Sequence, residues 1–317
     1  MTEQPTPLTV AQVADRGSAV LDEVATLVVG MREPLKVALA AILGGGHVLF
    51  EDVPGLGKTL AARSLATALG LTFRRVQCTP DLLPSDITGS SVFDPATASF
   101  AFRPGPVFAG LLLADEINRT APKTQSALLE AMAERQVTVD GETYQLPDPF
   151  HVVATSNPVE YEGTYPLPEA QVDRFMVRLS MGYPDAADEA GMLAGHEAGD
   201  RVLLLEPVVD VAEVLAAQDA ARRVHASRAL REYIVALLRH TREDPRVELG
   251  ASPRAGLMLL RAAKALALIE GRDHALPDDV QALAPAVLPH RIMLVPEAAG
   301  VEREAIVADA IAGTPAL

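Results

Sequence analysis

The stretch His47-Val48-Leu49-Phe50-Glu51-Asp52-Val53-Pro54-Gly55-Leu56-Gly57-Lys58-Thr59 narrows the possible folds of this chain more than any other. His47 to Phe50 reads as a short buried strand, a glycine-bearing turn follows, and Leu60 to Leu69 has helical spacing before Gly70 stops it. A strand that turns tightly into a helix aims several backbone N–H groups at one point. The helix dipole adds to them and creates an anion site. Gly55 and Gly57 allow the backbone to approach a phosphate, Lys58 can reach β- and γ-phosphates, and the Thr59 hydroxyl can ligate Mg²⁺. Pro54 to Leu60 is therefore the expected nucleotide-phosphate loop. Lysine is scarce, occurring only as Lys36, Lys58, Lys123 and Lys264, so one in this loop stands out. The strict pattern has glycine at position 52; this chain has Asp52, which leaves affinity at the loop entrance open.

The same alternation continues downstream. Phe73–Gln77, Leu111–Ala114, Val152–Thr155 and Met176–Ser180 read as strands, with helical stretches such as Lys123–Glu134 between some of them. This predicts an α/β fold with a parallel sheet flanked by helices. Two hairpins interrupt it. One turns at Asp94-Pro95-Ala96-Thr97. The other turns at Asp140-Gly141, a strong short hairpin signal. Upstream, Val10 to Ile42 is helical, with breaks expected at Gly17 and near Gly30 and Pro34. After about residue 205 strand signals fade, and Val211–His225, Ala229–Thr241, Pro253–Glu270 and Pro277–Leu288 read as helices. The expected organisation is a flexible tail over 1–9, an α/β core over 10–204 and a small all-α lid over 205–317.

A nucleotide site needs an acidic partner on a second strand. Leu111-Leu112-Leu113-Ala114-Asp115-Glu116 supplies it: Asp115 to hold the Mg²⁺ shell and Glu116 to polarise an attacking water. Asn157, at the end of the next strand, could lie near the γ-phosphate.

Composition removes several classes. The formal net charge of −15 makes a dedicated nucleic-acid or anionic-membrane binder unfavourable, while leaving a local basic channel open. Aromatics are 4% and tryptophan is absent, so the cores must be aliphatic. The lone Cys78 forms no internal disulfide and reads as a small buried hydrophobe. Met1 to Thr9 lacks the features of a signal peptide, and no apolar run reaches the ~18 residues that span a bilayer. A soluble cytoplasmic protein is expected.

Together these pieces resemble the MoxR family of AAA+ ATPases, from about Val29 to Arg291. The most specific stretches are Leu113-Ala114-Asp115-Glu116-Ile117-Asn118-Arg119 with Lys123 to Met132, Pro104 to Ala109, Asn157-Pro158, and Gly163 to Phe175. The resemblance implies a P-loop AAA+ core with a helical lid, and ATP with Mg²⁺ between them. It makes Lys58 and Thr59 Walker A residues, Asp115 and Glu116 Walker B residues, and Asn157 sensor 1. Arg174 looks like an arginine finger acting on a neighbouring subunit's nucleotide, and Arg254, in Ser252-Pro253-Arg254-Ala255, looks like sensor 2. Read without the resemblance, Arg174 beside Asp173 fits a surface ion pair. Gly30 matches the segment near adenine, although the family's glutamine there is Met31 in this chain. The resemblance further implies a homo-oligomer, by analogy a hexameric ring, that remodels or activates client proteins. A von Willebrand factor A domain partner and metal-cofactor insertion are recurring themes of that family. The two hairpins match insertions that face pore or substrate in ring ATPases, with Phe102 and Arg103 as contact or packing residues. A nucleic-acid motor or loader, a magnesium-chelatase-like motor subunit and a non-hydrolysing scaffold are the competing classes.

Overall fold

The computed structural model describes residues 7–96, 98–158, 164–190 and 205–316. Thr97, Gly163, the first six residues of the expected tail and the core–lid boundary at 204 lie outside the described residues. The centre is a parallel sheet in the order β2 (Phe73–Gln77), β5 (Leu111–Asp115), β8 (His151–Ser156), β1 (Val48–Glu51) and β9 (Val177–Leu179). Each expected strand overlaps one of these. β5 and β8 are buried along their whole length. Side chains alternate between faces, so Val48, Phe50, Leu111, Leu113 and Val153 enter one apolar cluster, and Leu49, Leu112, Ala114, Val152 and Ala154 enter another. Such two-sided burial fits a parallel sheet covered by helices on both faces.

The first cluster lies beneath α1 (Val10–Ala25), α2 (Arg32–Leu43) and α3 (Lys58–Ala68). The second lies beneath α4 (Pro84–Thr88) and α5 (Pro122–Glu134). Thr9 caps α1 by accepting the Gln12 N–H, and Gln12 accepts the Thr9 N–H in return. Gly17 does not break α1. A Cβ there would meet Ile269 at 3.6 Å, so the small residue allows close helix packing. Pro34 lies in the first turn of α2, where its missing N–H costs nothing. The real break follows α1, where Gly30 takes a left-handed φ of 76°.

Both insertions are antiparallel hairpins: β3 (Gly89–Asp94) with β4 (Ser99–Pro104), and β6 (Gln136–Val139) with β7 (Glu142–Gln145). Phe102 and Tyr144 stack with ring centroids 3.9 Å apart, which joins the hairpins and makes Phe102 a packing residue. Arg103 is exposed, as are Phe93 and Phe100, which meet edge to face.

A short helix α6 (Glu169–Val172) precedes β9. The C-terminal part contains α7 (Val211–Arg223), α8 (Arg228–Glu243), α9 (Pro253–Ile269), α10 (Pro277–Val287) and α11 (Arg303–Gly313). It is not purely helical: β10 (Val247–Leu249) and β11 (Met293–Leu294) form a small antiparallel pair. These runs are too short to carry a strand pattern. α9 packs on α1, α2, α7, α8 and α10, so the first cluster continues into the C-terminal helices.

Candidate functional site

In an open parallel sheet, ligands bind beyond the C-terminal ends of the strands. The register puts Ser156 beside Glu51 and Asp115 beside Gln77, so the ends of β1, β8, β5 and β2 share one edge. The Asp52–Gly57 loop leaves β1 at that edge. Gly55 and Gly57 have φ of 89° and 79°, a left-handed region that strains other residues. A Cβ on either would meet nothing within 4 Å, so the loop is open where a phosphate must approach.

Lys58 begins α3 and is buried. Its ammonium donates to the carbonyl oxygens of Asp52 at 2.5 Å and Ser156 at 3.4 Å. Burial lowers its pKa, opposed by the fields of Asp52, Asp115, Glu116 and Glu51. Thr59 Oγ1 donates to Asp115 Oδ2 at 3.2 Å, which pairs the two expected magnesium ligands. Mg²⁺ suits few protein oxygens, because it keeps several waters and takes substrate phosphates. The open glycine loop, the Lys58 ammonium and the Thr59–Asp115 pair fit Mg²⁺-ATP. Thr155 Oγ1 donates to Asp115 Oδ1 at 2.6 Å and accepts the Glu116 N–H at 2.8 Å.

Glu116 has a left-handed φ of 58°, a strained conformation for this residue type and one often found at functional sites. Its carboxylate accepts from Gln77 Nε2 at 2.7 Å and Arg119 Nη1 at 3.0 Å. Asn157 is buried at the same edge, and its carbonyl accepts Asn118 Nδ2 at 3.1 Å. Arg75 was not anticipated: its Nη2 lies 2.6 Å from Asp115 Oδ2 and 2.8 Å from Gln77 Oε1. Alternation along β2 could have found Arg75 and Gln77, since both share a strand face beside Asp115.

The two arginines lie elsewhere. Met176 N–H donates to His47 O at 2.8 Å, so the segment before β9 starts at the N-terminal edge of the sheet. Arg174, two residues before Met176, donates to Leu129 O in the middle of α5. Arg254, in the first turn of α9, pairs with Asp173 Oδ2 at 3.6 Å. The four residues of β1 separate this edge from the phosphate loop, roughly 13 Å at strand rise. Arg254 pairs with the residue next to Arg174 in sequence. Asp173 is shared: the other oxygen accepts Arg291 Nε at 2.8 Å. Arg291 is buried and also donates to the carbonyls of Phe175, Met176, Asp173 and Val287. Burial lowers its pKa to about 10, with Asp173 opposing.

Fold and site define a P-loop ATPase with a helical C-terminal lid. The AAA model, described as the ATPase family associated with various cellular activities, matches residues 47–177, and the AAA lid domain model matches residues 239–310. The chain is 53% identical to the protein YeaC of Bacillus subtilis over 92% of its own length and 91% of that protein's. It is 42% identical to the chaperone MoxR1 of Mycobacterium tuberculosis, with 87% and 75% covered. A crystal structure of a candidate ATPase from Cytophaga hutchinsonii superposes with a TM-score of 0.90 at 39% identity, covering 97% of each chain. The chain belongs to the MoxR family of AAA+ ATPases. No helix among the described residues is long and apolar enough to cross a membrane.

Proposed function

We propose that this ATPase is a client-remodelling chaperone whose active site is completed by a neighbouring copy. The observation behind this is that Arg174 donates to Leu129 O and Arg254 pairs with Asp173, so neither engages the Lys58, Thr59, Asp115 and Glu116 group of its own chain. Arginines at one edge and carboxylates at the other suit a heterologous, head-to-tail contact, which closes into a ring when the rotation permits. By family analogy the ring is a hexamer, cytoplasmic, with a von Willebrand factor A domain partner and protein clients. Insertion of a metal cofactor into such a client is one form of that work. The acidic net charge weighs against a nucleic-acid track.

In this reading the backbone from Pro54 to Leu60 and the Lys58 ammonium hold the triphosphate of ATP. Lys58 leaves the carbonyls of Asp52 and Ser156 to do so. Thr59 and Asp115 would hold Mg²⁺, which neutralises charge on the β- and γ-phosphates. Glu116 takes a proton from the attacking water, once released from Gln77 and Arg119. Asn157 aligns that water. Arg174 and Arg254 of the adjacent copy stabilise the charge that develops on the transferred phosphoryl group.

ATP binding and steady-state turnover test the assignment. Lys58→Ala is expected to lose nucleotide binding. Glu116→Gln is expected to bind ATP as the parent does and to hydrolyse it at least about a hundred times more slowly. Equal turnover in Glu116→Gln and the parent would contradict the mechanism. A Glu116→Gln ring held in the ATP state is also the form in which clients should be retained.

A further inference from the structure

Gly45 lies between α2 and β1 with a left-handed φ of 70°. Its missing side chain makes room for two cations: a Cβ there would fall 2.8 Å from Arg261 Nη2 and 3.8 Å from Arg135 Nη2. Arg261 donates to Gly45 O at 3.1 Å. Arg135 ends α5 with a left-handed φ of 53°, a position that usually falls to glycine. Among the described residues Arg135 has one ion pair, with Asp148 at 3.5 Å, and Arg261 has none. Burial lowers the pKa of Arg261, and the fields of Arg135 and Arg222 lower it further, so these like charges stand close enough to repel. The positive surface continues along α9. Arg254, Leu257, Arg261 and Lys264 recur at helical spacing and share one face, while most residues between them are buried. Leu257 is 63% exposed. The Lys264 ammonium donates to the Arg222 carbonyl and pairs with no carboxylate among the described residues. A cationic strip thus runs beside Gly45, at the N-terminal edge of the sheet, in a chain whose net charge is −15.

The opposite edge carries a surface of complementary charge. The segment that leaves β9 is anchored at the entrance of the phosphate loop, where Asp52 Oδ2 accepts from Ser180 Oγ at 2.8 Å, Met181 N at 2.8 Å and Gly182 N at 2.9 Å. Residues 183–189 then include Asp185, Asp188 and Glu189 and no lysine or arginine. Asp185 and Glu189 are exposed, and neither has an ion pair among the described residues. Asp188 lies against Gly30, where a Cβ would fall 2.3 Å from its Oδ2. Gly30 precedes α2 and Gly45 follows it, so the length of that helix, roughly 18 Å, separates the acidic segment from the cationic strip. The two surfaces cannot pair within one chain. A head-to-tail neighbour would bring the strip of one copy to the segment of the next, and the same contact would repeat around a closed ring. Opposite charges placed in this way steer the encounter and fix its register.

We infer that the strip of Arg135, Arg261 and Lys264 is a docking surface for the acidic segment 183–189 of a second copy of this chain. The inference rests on the head-to-tail reading given above and adds to it contacts that take no part in the chemistry. Leu257 on one surface and the 80% exposed Tyr183 on the other are the apolar members of the contact.

Sedimentation of the full chain with Mg²⁺ and ATP tests this. The parent should form larger species that dissociate as salt screens the contact. Reversing the strip with Arg261→Glu and Lys264→Glu should weaken assembly roughly tenfold or more, because like charges across an interface repel. Reversing the segment with Asp185→Lys and Glu189→Lys should do the same. The chain carrying all four changes should recover most of the parent's assembly. If the strip variant fails to fold, the segment variant, altered only at exposed positions, decides. Undiminished assembly in either variant, or no recovery in the combination, would overturn the inference. A strip variant that assembles as the parent does but is no longer retained by immobilised single-stranded DNA would assign the strip to nucleic acid and overturn it too. A parent that stays a single chain at every concentration would overturn the head-to-tail reading itself, whereas a parent that assembles equally with both variants would overturn this inference alone.

Discussion

At one edge of the sheet stand Glu116 and Asp115, with Lys58 donating to backbone carbonyls close by. At the opposite edge Arg254 and Arg291 converge on Asp173, with Arg174 next to it in sequence. The first edge is built from strand ends and one glycine loop, so its geometry follows from local sequence. The second is assembled from distant segments, Asp173 and Arg291 being 118 residues apart, and is held by a buried guanidinium. The contrast accords with the proposal that one edge binds and activates the nucleotide while the stabilising charge comes from another copy. The buried Arg291 holds the segment that follows Arg174, and Arg174 and Arg254 are themselves partly exposed, as the proposal requires.

Breaking the arginine edge should have the largest effect. Arg174→Ala is expected to lower turnover about a thousandfold, or about 4 kcal/mol, with ATP affinity nearly unchanged, as single-turnover and binding assays would reveal. Arg291→Ala should act on stability: it strips Asp173 and several carbonyls of their donor, at a cost of about 3 kcal/mol in chemical unfolding. An equally stable variant would show that the segment before β9 is held by other contacts.

The same edge carries two buried histidines. His47 Nε2 faces Met132 O at 3.3 Å and its Nδ1 accepts Val152 N–H at 2.9 Å. His151 Nδ1 faces Gly46 O at 2.8 Å, and Gln218 Nε2 donates to its Nε2 at 2.9 Å. Each ring therefore has one donor and one acceptor role as a neutral imidazole. Burial pushes the pKa of His47 down to about 3 and that of His151 down to about 4. The unfolded chain takes up these protons near pH 6.5 and the folded chain refuses them, so stability falls as pH drops below about 6.5. The expected loss at pH 5 is roughly 2 kcal/mol per histidine, measured by denaturant unfolding across pH. His47→Gln should flatten that slope; an unchanged slope would assign it to other groups. The smallest effect should come from Arg254→Ala, about a tenfold fall in turnover from losing one partly exposed cation.

Legibility followed the same division. The phosphate loop, the Asp115–Glu116 pair and the five strands were readable because strand alternation and turn chemistry act over a few residues. The Asp140-Gly141 hairpin punctuated the chain as expected. Gly17 misled, because a glycine that admits Ile269 looks in sequence like one that ends a helix. Asp52 looked like a departure from a pattern, because its partners at 180–182 lie far along the chain. Arg254 was assigned as sensor 2 only by resemblance, and its partner Asp173, far off in sequence, could not be read from the residues around it. The β10–β11 pair escaped notice because two- and three-residue runs have no measurable period.

The division of the active site between copies can be tested by mixing two inactive variants. Arg174→Ala keeps Glu116 and lacks the finger; Glu116→Gln keeps the finger and lacks the base. In co-assembled rings at equal ratio, about one interface in four should join an intact Glu116 to an intact Arg174 if assembly is random and head-to-tail. Turnover should then rise well above that of either variant alone and reach a maximum at intermediate ratios. Mixed rings, verified by mass, that hydrolyse ATP no faster than their components would contradict the account.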